Sequence, residues 1–168
     1  MLKGSWPAAE LQLLEQGLDE TIRLVNRLGR QDDEEATAVA SLFLVVRASG
    51  YLEQVLLVAL RAHIVANAES RIANFTVSGL PRSANPSAEY LANLFKRLDP
   101  AWASELNELL DDNNRRIRDD LKFLLEVRNK IAHGASQTVG RRRAVELARV
   151  SKDLADWFIR RLSTARSA

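Results

Sequence analysis

The sequence predicts an all-α protein. Apolar residues recur at three-to-four spacing almost throughout, sustained two-residue alternation is rare, and glycine and proline punctuate the periodic runs. The expected architecture is an up-and-down bundle of about five to six helices around a long central second helix. At 168 residues without an internal repeat or a low-complexity tract, residues 1–168 read as a single domain.

The elements follow in order. Ser5, Trp6 and Pro7 look like a helix entry, and Leu11, Leu14, Leu18, Ile22, Val25 and Leu28 form the stripe of a first helix that Gly29 stops. Asp32, Asp33, Glu34 and Glu35 start the second helix with negative charge near its positive end. From 36 to about 75 there is no proline, and apolar residues cover so much of the circumference that this helix should be central, with a bend near Gly50 or at 62–67. Residues 76–86 hold Gly79, Pro81 and Pro86 and mark a loop long enough to act as a flap. A helix over 87–98 ends at Asp99-Pro100, which caps and opens the next, and Asp111, Asp112, Asn113 and Asn114 interrupt that one. Ile117, Leu121, Leu124, Leu125, Val127 and Ile131 mark a further helix closed by Gly134, and the last runs from 139 or 141 to 162.

Composition narrows the function. The chain has no cysteine, which excludes disulfides and thiolate metal sites and suits a reducing compartment. The uninterrupted apolar run 42–46 is far too short to span a bilayer, so a cytoplasmic protein without a membrane partner is expected. The net charge of +2 hides an asymmetry, for residues 134–168 carry eight basic groups against three acidic ones. Arg141, Arg142, Arg143, Arg149, Arg160, Arg161 and Arg166 either neutralise nucleic-acid phosphates or form a solvated helix face.

Chemistry-bearing side chains converge at one place, Val127-Arg128-Asn129-Lys130-Ile131-Ala132-His133-Gly134. Arginine is a permanently charged planar fork suited to phosphate, and histidine titrates near neutral pH. A separation of five puts Arg128 and His133 about 140° apart around an ideal helix and about 7.5 Å along it, so one helix alone makes a poor active site. Read structurally, Arg128 is an ion pair with an acidic group such as Glu126 or Asp120 from a neighbouring element, and His133 a helix cap before Gly134.

The string R-N-x-x-x-H near the end of a penultimate amphipathic helix resembles the signature of the HEPN superfamily, compact helical proteins that include many metal-independent ribonucleases. The resemblance implies a homodimer with apposed motif helices, so that Arg128 and His133 of both protomers line one cleft. There His133 would transfer protons, Arg128 would hold the phosphate and Asn129 would orient the histidine or hydrogen-bond RNA, leaving a 2′,3′-cyclic phosphate and a 5′-hydroxyl without metal or cofactor. A looser likeness to the RiboL-PSP type of HEPN protein covers Arg47 to Glu53. Gly50 there implies a bend or the close approach of another backbone, while Glu53 either pairs with Arg128, orients His133 or bonds Arg47. Lys130, Arg141, Arg142 and Arg143 would add RNA contacts. The family also implies a toxin or phage-defence role, with an antitoxin as partner. The alternatives are a non-catalytic module binding RNA or protein, and the helical partner of a small nucleotidyltransferase.

Outside the motif, His63 lacks partners at ligand spacing and reads as a packed or surface side chain, Trp102 and Trp157 as core, Trp6 as a staple under the first helix, and Tyr51 as core or interface.

Overall fold

The computed structural model describes residues 6–31, 33–81, 83 and 85–163, and shows six helices and no strand among them. Ser5, Asp32 and Arg166, invoked above, lie outside the described residues. The helices are α1 (Ala8–Leu28), α2 (Glu34–Asn67), α3 (Ser70–Ser78), α4 (Ala88–Leu98), α5 (Pro100–Ala132) and α6 (Arg141–Ser163). The all-α class and the long second helix are therefore present.

Local chemistry explains most boundaries. The Asp33 carboxylate accepts the Ala36 N–H at 3.0 Å, the Ser87 hydroxyl accepts the Tyr90 N–H at 3.2 Å, and the Asp99 carboxylate accepts the Ala101 N–H at 2.8 Å, with Pro100 in the first turn where its missing donor costs nothing. Pro7 precedes the first turn of α1 instead of occupying it, and Trp6 packs against the core. Two boundaries differ from expectation. The run from 36 to about 75 breaks at Ala68, whose extended backbone lets Glu69 cap a separate α3, so α3 occupies part of the expected loop. Conversely, the segment 111–114 does not end a helix. Helix α5 continues through it, although Asn114 and Arg115 take left-handed φ of 60° and 66°.

That irregularity is braced from both sides. Arg118 donates from Nε to Asp111 Oδ1 at 2.6 Å, and from Nη2 to Asp111 Oδ2 and Asn107 Oδ1 at 3.1 Å each. The hydrogen bond from Arg118 holds the Asp111 carboxyl below its usual range. The fork so clamps the turn before the two left-handed residues to the turn after them.

Helix α2 is the hub. It packs chiefly on α6 and α1, while α5 rests on α4 and touches both α2 and α6. Its buried side chains include Leu44, Val45, Leu52, Val55, Leu56 and Leu60, which join Leu18 and Val25 of α1, Leu106 and Leu124 of α5 and Leu154 and Phe158 of α6 in one cluster. Phe95, Trp157 and Phe158 close one end with ring centroids 4.9–6.0 Å apart. His63 caps the carbonyl of Leu162, 2.9 Å from Nδ1, and lies edge-on to Trp102, which makes it a packed side chain. By length and hydropathy α2 would pass for a bilayer span, which the short run 42–46 did not suggest, yet most of that stretch is buried in the bundle.

The left-handed pair sets a test. An L side chain at φ 66° carries steric strain that glycine lacks, so Arg115→Gly should leave stability unchanged or raise it by up to about 1 kcal/mol, whereas the β-branched Arg115→Val should lower it by about 1–2 kcal/mol. Urea unfolding curves of the two variants measure the difference.

Candidate active site

The C-terminus of α5 is closed by its own backbone. His133 N–H donates to Asn129 O at 3.0 Å, Gly134 N–H to Ile131 O at 3.0 Å and Ala135 N–H to Lys130 O at 2.9 Å. The last two bonds define a Schellman motif, which needs a left-handed residue after the cap, and Gly134 supplies it at φ 75°. His133 is the cap residue itself, and its side chain stands exposed to solvent.

Arg128 lies on another side of the same helix, against α2. Its Nη2 is 3.6 Å from Oε2 of Glu53, and its Nη1 donates to Oδ1 of Asn129 at 2.9 Å. The Glu53 side chain is only 7% exposed, while that of Arg128 retains 32%. A carboxylate removed from water needs a cation or donors nearby, and Arg128 provides them from across the helix boundary. Its planar fork is thereby held with one edge occupied and part of its surface open. Asn129 thus meets Arg128, where the sequence reading had it orient His133 or meet RNA. No single chain brings Arg128 and His133 together, in keeping with their separation around the helix.

Other sequence-selected residues scatter. Arg47 shares α2 with Glu53 but lies over Gly17 of α1, where a Cβ would come within 2.7 Å of its Nη2. No other backbone of this chain comes close to Gly50, where an added Cβ would meet nothing within 4 Å, and α2 continues through it. Lys130 is exposed one turn before the cap. Arg141 packs over Gly29, with Nη1 3.5 Å from Asn26 Oδ1. Arg142 donates to Glu146 at 3.1 Å on the surface. Arg143 reaches Asp120 at 2.6 Å and stacks its guanidinium 5.1 Å over Phe123. The basic start of α6 therefore fastens that helix to α1 and α5.

Asp120, offered above as a partner for Arg128, is instead the buried carboxylate that Arg143 reaches, while Arg128 pairs with Glu53. Sequence reasoning missed a groove of about 570 Å³ between the start of α4 and α5, lined in part by Ser87, Glu89, Arg118, Lys122, Glu126 and Asn129. Asn129 links the groove to the motif, and its charges are of both signs. On the far side of α2, Lys152 bonds Glu15 at 2.9 Å and Asp19 at 2.7 Å, and the buried Tyr51 hydroxyl has its pKa raised by burial and then by Glu15, which keeps it protonated. Among the described residues no group of three or more histidine, aspartate or glutamate side chains could hold a metal ion.

Compared with protein-family models, with curated proteins and with solved structures, the chain finds no match.

Asp120 and Gly134 make the local account testable. Arg143→Ala removes the nearer partner of the buried Asp120 carboxylate, leaving Arg116 at 3.8 Å, and should cost about 1–3 kcal/mol, whereas Arg142→Ala, a surface change, should stay within about 0.5 kcal/mol. Gly134→Ala forces a Cβ into the left-handed cap and should cost about 1 kcal/mol. Chemical denaturation of the three variants separates these magnitudes.

Proposed function

We propose that this chain is a metal-independent endoribonuclease of HEPN type, working as a homodimer whose active site combines Arg128 and His133 of both protomers. The observation that carries this reading is the state of Arg128. A buried carboxylate from α2 and the adjacent Asn129 hold the guanidinium in place before any ligand arrives, and a third of the side chain stays open. A cation oriented in advance stabilises developing phosphoryl charge without reorganising at the moment of reaction. His133, on a rigid cap at the same helix end, presents an exposed imidazole that suits proton transfer.

The reaction follows from these two groups. The RNA 2′-hydroxyl attacks the adjacent phosphorus, and His133 of one or both protomers takes its proton and gives one to the departing 5′-oxygen. The P–O5′ bond breaks, and the products are a 2′,3′-cyclic phosphate and a 5′-hydroxyl. The two arginines hold the non-bridging oxygens, and no metal or cofactor enters. Because Arg128 and His133 diverge on one helix, the pair belongs to a cleft between two chains. The physiological reading that goes with such an enzyme is a toxin or phage-defence effector in the cytoplasm, restrained by an antitoxin.

A second reading has one observation in its favour. The Arg128–Glu53 pair already satisfies a buried carboxylate, which is reason enough for an arginine at that position in a non-catalytic module that binds RNA or a protein such as a small nucleotidyltransferase.

Cleavage separates the two. Purified chain should cut RNA in the presence of a chelator, and Arg128→Ala and His133→Ala should each lower the rate by at least about a hundredfold while the circular dichroism stays helical. Mass spectrometry of the fragments should find 2′,3′-cyclic phosphate termini. Absence of cleavage, or full activity in both variants, assigns the motif to the second reading.

A further inference from the structure

We infer that the groove between α4 and α5 is a subsite for one base of the RNA, guanine, read by Glu126 and Asn129. At about 570 Å³ the groove has the size of a small-molecule site. Lys122, Glu126 and Asn129 line it from α5, and on an ideal helix they fall with His133 within about 60° of one another. His133 follows Asn129 by about one turn, so the α5 wall of the groove leads to the exposed imidazole. Arg128 lies off that face but is joined to it, since its Nη1 donates to Oδ1 of Asn129 at 2.9 Å. A nucleotide whose phosphate lies at the end of α5 therefore has this groove beside it.

The polar groups of the groove select among bases. Arginine carries only donors, so its hydrogen bond turns Oδ1 of Asn129 toward Arg128 and leaves the Nδ2 hydrogens for a ligand. Glu126 is half-exposed, and its contact with Lys122 is a long one of 3.9 Å, which keeps both carboxylate oxygens within reach of a ligand. The two residues stand about 60° and 4.5 Å apart on α5. Two acceptors beside a donor call for two donors beside an acceptor. Guanine offers that edge, with N1–H and the N2 amino group next to O6, and no other standard RNA base sets two donor groups side by side.

The surroundings agree with a base in this position. Glu89 and Asp119 add carboxylates to the lining, while Arg115 and Arg118 are engaged by Asp111. Acidic walls repel phosphate, which leaves the backbone to the cations at the end of α5 and the groove to the base. Leu125 and Ala88 supply apolar contact for its faces.

The inference rests on the nuclease reading and deepens it by naming the base beside the cut phosphate. Its test reads binding as well as cleavage, so the two can fail separately. Isothermal titration of the full chain with guanosine, adenosine, cytidine and uridine monophosphates, each in its 3′ and 5′ forms, should find guanosine bound at least about tenfold more tightly than the rest. Glu126→Gln keeps the size of the side chain but turns one acceptor into a donor. It should erase that preference, leave adenosine monophosphate within about twofold of its wild-type affinity and keep the circular dichroism helical. Wild-type cuts in RNA should fall beside guanosines, and those of Glu126→Gln should spread over all four bases. Equal affinity for the four nucleotides, or a guanosine preference that Glu126→Gln leaves intact, overturns the inference even if RNA is cut. Spermidine bound more tightly than every nucleotide gives the acidic groove to a cationic ligand and overturns it too. Guanosine binding that depends on Glu126, in a chain that cuts no RNA, supports the subsite and counts against the nuclease alone.

Discussion

A carboxylate buried on the central helix governs the position of the motif. Glu53 sits where α2 meets α5, with almost all of its side chain out of water, and Arg128 is the cation at its side. An uncompensated charge there would be costly, so docking α5 on α2 and placing Arg128 are one event. The arginine is fixed as a consequence of folding, and Asn129 fixes the orientation of its fork. Removing Glu53 would take away the carboxylate that holds one edge of the Arg128 fork, and removing Arg128 would take a cation from beside a buried carboxylate. The two residues therefore carry both the packing of α5 and whatever chemistry happens at its end.

Much of the fold was legible in the sequence because its signals are local. Asp33, Ser87, Asp99-Pro100 and Gly134 each mark a helix end through a hydrogen bond or a backbone angle made within a few residues. The stripe of α1 and the apolar circumference of α2 likewise state which faces are buried. What escaped depends on distant partners. The break at Ala68 has neither glycine nor proline to announce it, and the passage of α5 through 111–114 depends on Arg118 reaching back to Asp111 and Asn107. The same holds for the site. Arg128, His133 and the Glu53 pairing were legible as a constellation, whereas the roles of Arg141 and Arg143 were not, because Gly29 and Asp120 meet them only after α6 has folded back on α1 and α5.

Helix α2 serves α1, α5 and α6 with its buried sides, while Val39, Phe43 and Val65 stand exposed among polar neighbours such as Arg47, Gln54 and Arg61. The divergence of Arg128 and His133 on one helix is what the proposed composite site answers, by giving one cleft between two chains both kinds of side chain.

The central claim is that the site is composite, and trans complementation tests it most directly. Arg128→Ala and His133→Ala chains would be unfolded together, refolded and assayed for RNA cleavage in chelator, with the mixed dimer verified by native mass spectrometry. A mixed dimer keeps one Arg128 and one His133 on different chains, and no chain in the tube holds both. Recovery of cleavage in the mixture, with each variant inactive alone, is the expected result. A verified mixed dimer that remains as inactive as its parents would contradict a site shared between protomers.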